Sequence, residues 1–375
     1  MEKLYRIIIV LSIAICFAGF AGDKTGAQPK TAVRTTPTPK PPATRKPAKD
    51  SVKPTSKTTA ANSTAKRDER SAKTAANFNP TPVAAEQIIV AATASQIRQQ
   101  PKNKSAQLSL VKLGKLLPVS EKNAAWYRVE YAEGKSGWIS KTIVKDYEIE
   151  RRDDIYREIT DKYFKGKPLD FATAAEVSDF LRTARVLVKA DSLKADLSLR
   201  RLRVLTAALK AIPFGKGEQF PYTNFLKANE KDVVYSEPSA EWLVRSEVYW
   251  ELRNKYTALP IAEEIAWEAA QNPIPGECEG DVNCQLYVLR ATDGEYLNLY
   301  PNGKYSKKAL SNITDLLEPI VADLNGKSVY TLPNDISDRA EFNRFLTELR
   351  AIISRMSDAA KTKTLQQINQ LDEGK

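Results

Sequence analysis

The spacing of apolar residues changes once along the chain, and that change limits what the chain can fold into. Between residues 86 and 148 apolar residues come in short runs broken by Gly, Pro and Asn: "EQIIVAATASQIRQQ", "LSLVKLGKLLPVS", "AAWYRVEYAEGKSGWIS". Short runs with alternation indicate β-strands. After Tyr147 the period lengthens to that of a helix. Val177, Phe180, Leu181, Ala184 and Val188 share one helical face. Leu193, Leu197, Val204, Leu205, Ala208, Leu209 and Ile212 share another. The pattern recurs at Leu310, Ile313, Leu317, Ile320, Val321 and Leu324, and at Phe342, Phe345, Leu346, Leu349, Ile353 and Met356. The expectation is a small all-β barrel over 86–148, followed by an all-α domain over 149–375 with eight to ten helices between 149 and 372. Asp170 before "FATAAEV" and Ser236-Glu237-Pro238 before "SAEWLVRSEVYWEL" read as helix starts.

What precedes residue 86 has neither period. Lys3 and Arg6 are followed by an apolar run over 7–21 and then by small residues. This is the shape of a secretory signal over 1–22, and it is short for a membrane span. Left uncleaved, it would serve as an inner-membrane anchor. Cys16 does not read as a lipidation site, because bulky Ile15 precedes it and apolar sequence continues beyond it. Residues 23–85 contain 13 Lys and Arg against 4 Asp and Glu, nine of the 21 prolines, and a single aromatic residue, Phe78. Such a segment cannot bury enough apolar surface to offset chain entropy, so it reads as a disordered basic linker. It carries most of the net charge of +11; residues 86–375 are close to neutral. The linker would lean on an anionic envelope surface or serve as a spacer. With export expected and no basic excess after residue 85, nucleic acid is not an expected partner.

The chain has no histidine. That removes Ser-His-Asp and Cys-His catalysis and every metal site built on imidazole. Carboxylates remain, and "AEEIAWEAA" places Glu263, Glu264 and Glu268 on one helix beside Trp267. Paired acids can hydrolyse glycosides, but acids at this helical spacing ordinarily form a solvated face. "GECEGDVNCQL" spaces Glu277, Glu279, Asp281 and Asn283 at alternate positions, as a calcium loop would. Gly280 falls at position four rather than six of such a loop, and position twelve is Val288, so no metal and no cofactor is expected. Cys278 and Cys284, in an exported chain, are expected to form a disulfide that closes this loop.

Two tryptophans lie on either side of the turn "EGKSG". Trp126, Arg128 and Glu130 point one way on their strand, and Tyr127, Val129 and Tyr131 the other. Ile97-Arg98, "LVKLGKLLPV" with Gly114, "WYRVEY" and "GKSGWISKTIV" occur in the order seen in the bacterial SH3-like (SH3b) domain, which residues 86–148 resemble. Gln100 and Ala125 stand where that family usually has glycine, so turn geometry there is expected to differ. The resemblance implies a small barrel with at least one tryptophan in its core, binding cell-wall peptide or an envelope protein. It makes Trp126, Tyr127, Tyr131 and Trp138 the candidate binding residues. "YPNGKY" (Tyr300 to Tyr305) resembles the inter-repeat turn of tetratricopeptide-like envelope proteins, which suggests a TPR-like array or an irregular bundle. The whole reads as an exported, periplasmic or envelope-associated protein that binds or scaffolds and is not an enzyme. The rival readings are a cell-wall hydrolase using the helical carboxylates and a membrane-anchored envelope sensor.

Overall fold

The computed structural model describes residues 86–373, apart from 167, 325–328 and 334. All of these fall within one compact unit, Asn77–Lys375. The expected signal or anchor over 1–22 and the expected linker over 23–85 lie outside the described residues.

Seven strands come first: β1 (Gln87–Val90), β2 (Ser95–Arg98), β3 (Gln107–Val111), β4 (Leu116–Lys122), β5 (Trp126–Ala132), β6 (Lys135–Ser140) and β7 (Val144–Tyr147). They form one antiparallel sheet in the order β3-β2-β6-β5-β4-β1-β7. Glu133 and Gly134 join β5 to β6, with Ala132 opposite Lys135 and Gly134 at a φ of 65°. Only glycine takes that conformation without strain, which explains the turn sequence. Ile88, Val90, Ile97, Leu117, Tyr127, Val129 and Ile139 fill the small core.

Strand β1 is buried on both faces. Ile88 and Val90 enter the barrel core, whereas Ile89 joins the core of the helical region together with Ala91 and Leu113. A strand covered on both sides needs consecutive apolar residues, which accounts for "IIV". The barrel is therefore packed against the helices over its first strand and its β3–β4 turn.

Eleven α-helices follow among the described residues: α1 (Arg152–Tyr163), α2 (Phe171–Leu187), α3 (Asp191–Lys210), α4 (Tyr222–Ala228), α5 (Ser246–Lys255), α6 (Ile261–Gln271), α7 (Val282–Ala291), α8 (Asp293–Leu299), α9 (Ser306–Asp323), α10 (Ile336–Ser354) and α11 (Lys361–Glu373). The expected cap holds: the Asp170 carboxylate accepts the main-chain N–H of Thr173 at 2.9 Å and starts α2. The second expected helix start needs correction. Val233–Ser236 and Glu241–Val244 form a hairpin, β8–β9, and the helix begins only at Ser246. The β-branched and aromatic residues Val233, Val234, Tyr235 and Trp242 pair across it, and strand pairing overrides the helix-start signal of Ser-Glu-Pro.

The helices enclose two cores that share α6. Its Ile265 and Ala269 face the core made with α1–α5, and its Ala266 and Ala270 face the core made with α7–α11. Helix α7 packs against α10, and α9 against α11. This non-sequential pairing makes the array irregular. No helix among the described residues is long and apolar enough to cross a membrane.

Candidate functional site

The four aromatic residues singled out in the sequence do not form one exposed patch. Tyr127 is buried, its hydroxyl donates to Asp146 Oδ1 at 2.6 Å, and the Lys141 ammonium lies 4.7 Å from its ring centre. The hydrogen bond to Asp146, and then burial, push its pKa up to about 12. Tyr127 thus pins β5 to β7. Tyr131 is half-buried against the barrel core. Trp126 is only 9% exposed, and its main-chain N–H is held by Asn123 Oδ1 at 2.8 Å.

Trp138 differs. It is half-buried on the outer face of β6, in register with Arg98 of β2 on one side and Arg128 of β5 on the other. Arg98 is steadied by Ser105 O at 2.7 Å and by the Gln96 side chain. Arg128 pairs with Glu121. The result is a tryptophan in register between two arginines of the neighbouring strands. Next to this row is β3, an edge strand on which Leu108 and Leu110 are exposed. An edge strand with exposed apolar side chains can take up a further extended segment by main-chain pairing.

A second concave feature lies where the barrel meets α2. The β3–β4 turn faces Glu176, Asp179, Phe180 and Thr183 across a cleft of about 500 Å³. Gly114 sits in that turn at a φ of 80°, and a Cβ there would come within 2.4 Å of the Phe180 ring. Glu176 Oε1 accepts the main-chain N–H of Leu113 at 2.7 Å, and Oε2 that of Ala94 at 3.1 Å. The Tyr163 hydroxyl accepts the N–H of Thr93 at 2.9 Å, and Lys145 pairs with Glu158 at 2.6 Å. Sequence reasoning missed this junction. Glu176 reads as one more polar residue on an amphipathic helix, and Gly114 reads as a turn residue. The doubly buried "IIV" run was the only signal.

The helical carboxylates are engaged in structural contacts. Glu264 and Glu268 both bind the guanidinium of Arg203 on α3, at 2.7 and 2.8 Å. Glu263 accepts the Tyr296 hydroxyl at 2.7 Å and the main-chain N–H of Lys304. Tyr296 in turn accepts the N–H of Tyr305, whose ring stacks on Trp267 at 4.8 Å. "YPNGKY" is thus a turn clamped by one buried tyrosine and one acid. Cys278 and Cys284 form the expected disulfide, and Asp281 caps α7 through the N–H of Cys284. Among the described residues no cluster of acids or cysteines is arranged to hold a metal ion. Asp293 is a buried carboxylate held by the side-chain amides of Gln271 and Asn312, each at 3.2 Å, and burial pushes its pKa up to about 6.

No curated protein matches the chain. Residues 93–145 match the bacterial SH3 domain family. The sheet extends that match at both ends, since β1 pairs with both β4 and β7. The β-region of this chain is a bacterial SH3 domain.

Proposed function

We propose that this chain is an exported, envelope-associated binding protein whose SH3 domain recognises a cell-wall component or an envelope protein, with the helical array as a second interaction surface. The observation that carries the reading is the Arg98–Trp138–Arg128 row on a bacterial SH3 domain. Tryptophan and arginine on a rigid sheet supply binding energy at low entropic cost. The signal-like segment over 1–22 and the basic segment behind it support export and contact with an anionic surface.

The same reading takes the protein to act without catalysis. Its support is the absence of histidine from the sequence and the engagement of Glu263, Glu264 and Glu268 by Arg203, Tyr296 and Lys304. Zymography on purified walls tests this part, and a cleared zone produced by the pure protein refutes it.

Site-specific cross-linking tests the binding reading. A photoreactive phenylalanine at position 138, in the full chain expressed in cells, should yield an adduct with a wall peptide or an envelope protein. The same group at Lys363, on the exposed face of α11, serves as the control. No adduct beyond the control refutes the reading.

A further inference from the structure

We infer that the cleft between the β3–β4 turn and α2 is a peptide-binding site, and that it takes a short peptide combining an apolar side chain with a carboxylate. This goes beyond the binding reading above, because the cleft lies apart from the Arg98–Trp138–Arg128 row.

The floor is apolar. The Phe180 ring lies in it, fixed by the edge of Tyr156 with ring centres 5.7 Å apart, and Leu187 borders it with 41% of its surface open to solvent. About 500 Å³ is within the range of sites that hold small ligands or a few side chains. The walls are fixed in advance, because Glu176 ties the turn to the helix through two main-chain amides. Binding there does not have to order the site.

The charges around the cleft are unequal. Both oxygens of Glu176 are occupied by the amides. Asp179 is paired with Arg182 and lies 3.9 Å from Lys112. Asp179 is therefore neutralised by Arg182, whereas Glu176 is hydrogen-bonded but keeps its charge. Lys115, by contrast, forms no ion pair with the described residues, and Lys112 is 82% exposed with that one long contact. Lys112, Lys115 and Arg182 stand against Glu176 and Asp179, a net of one positive charge, and an apolar floor under such a rim favours an acidic partner over a basic one. An apolar side chain would rest on Leu187, at the rim of the buried Phe180 ring, with the carboxylate within reach of Lys115.

The test uses the full chain and a displayed pool of random decapeptides. Enriched sequences should pair an apolar residue with Asp or Glu. Synthetic copies should bind Thr183→Trp, which fills the cleft from the exposed side of α2, at least tenfold more weakly. Lys115→Glu should weaken them at least fivefold. Lys363→Ala, on the exposed face of α11 and outside the cleft, should leave them unchanged, and both cleft variants should melt like the parent. The inference is overturned if the pool yields no enriched sequence, if the enriched sequences lack acids, or if they bind Thr183→Trp as tightly as the parent. Sedimenting Thr183→Trp with purified walls separates the two readings. If decapeptide binding fails the test while wall binding persists, the cleft is refuted and the SH3 domain reading stands. If decapeptides bind as expected while nothing from the envelope binds or cross-links, the cleft stands and the envelope reading falls.

Discussion

Glu176 Oε1 accepts the main-chain N–H of Leu113 at 2.7 Å, across 63 residues of sequence. The second oxygen of the same carboxylate accepts Ala94 N–H at 3.1 Å. One side chain of α2 thus holds two separate loops of the SH3 domain, and Ile89, Ala91 and Leu113 are buried in the helical core beside it. The SH3 domain is consequently a fixed part of the helical unit.

Removing that carboxylate should loosen the junction. Hydrogen bonds to a charged acceptor contribute roughly 1.5–3 kcal/mol each, and less where the group is partly solvated. Glu176→Ala is expected to cost about 2 kcal/mol in total. Differential scanning calorimetry should show a melting point lower by a few degrees, and amide exchange should speed up at Ala94 and Leu113. Unchanged exchange at both amides would show that the contact does not hold the junction.

Two glycines with similar backbone should differ in their tolerance of alanine. Gly114 and Gly134 both have positive φ, at 80° and 65°. A Cβ at Gly114 meets Phe180 at 2.4 Å, whereas at Gly134 nothing lies within 4 Å. Gly134→Ala should cost about 1 kcal/mol, the backbone penalty alone. Gly114→Ala should add a steric cost of about 1–3 kcal/mol by overpacking the junction. Chemical denaturation of both variants checks the order, and equal losses would contradict it.

Asp293 sets a pH dependence whose direction follows from its burial. Its folded pKa is raised to about 6 from an ordinary value near 3.8. The folded state therefore holds the proton more tightly than the unfolded one. The stabilisation this gives is fully present below about pH 4, and is lost as pH rises from there through 6. Asp293→Asn removes the titration while keeping the side-chain shape. Relative to this variant the parent should lose stability between pH 4 and pH 6.5, by up to about 3 kcal/mol for a shift of this size. Urea midpoints of both proteins across that range provide the check. A difference that stays flat with pH would contradict the assignment.

How much of this was legible in the sequence depends on how local the signal is. The helical faces were readable because burial repeats with the turn of the helix: Val177, Phe180, Leu181 and Ala184 are all buried as their spacing requires. The Asp170 cap and the hairpin turn at Gly134 were readable for the same reason, since each is fixed by its immediate neighbours. The β8–β9 hairpin was not, because Ser236-Glu237-Pro238 carries a helix-start signal that only the pairing of Tyr235 with Trp242 overrides. The role of Tyr127 was also hidden. Alternation placed it opposite Trp126, but its bond to Asp146 of β7 depends on how the sheet closes. The junction cleft has no local signature, because it is made by residues such as Lys115 and Thr183 that meet only in the folded unit.

The most direct test of the binding reading is co-sedimentation of the full chain with purified cell walls at low and at physiological salt. The parent is compared with Trp138→Ala and with a chain from which 23–85 has been deleted. Binding through the linker alone would be diffuse and would collapse at physiological salt, where screening acts beyond about 8 Å. Binding through the SH3 domain depends on few side chains and tolerates salt. The expected result is that the deletion still sediments at physiological salt, while Trp138→Ala, folded by circular dichroism, loses at least tenfold in affinity. Equal sedimentation of Trp138→Ala and the parent, with the deletion left in solution, would contradict recognition by the SH3 domain.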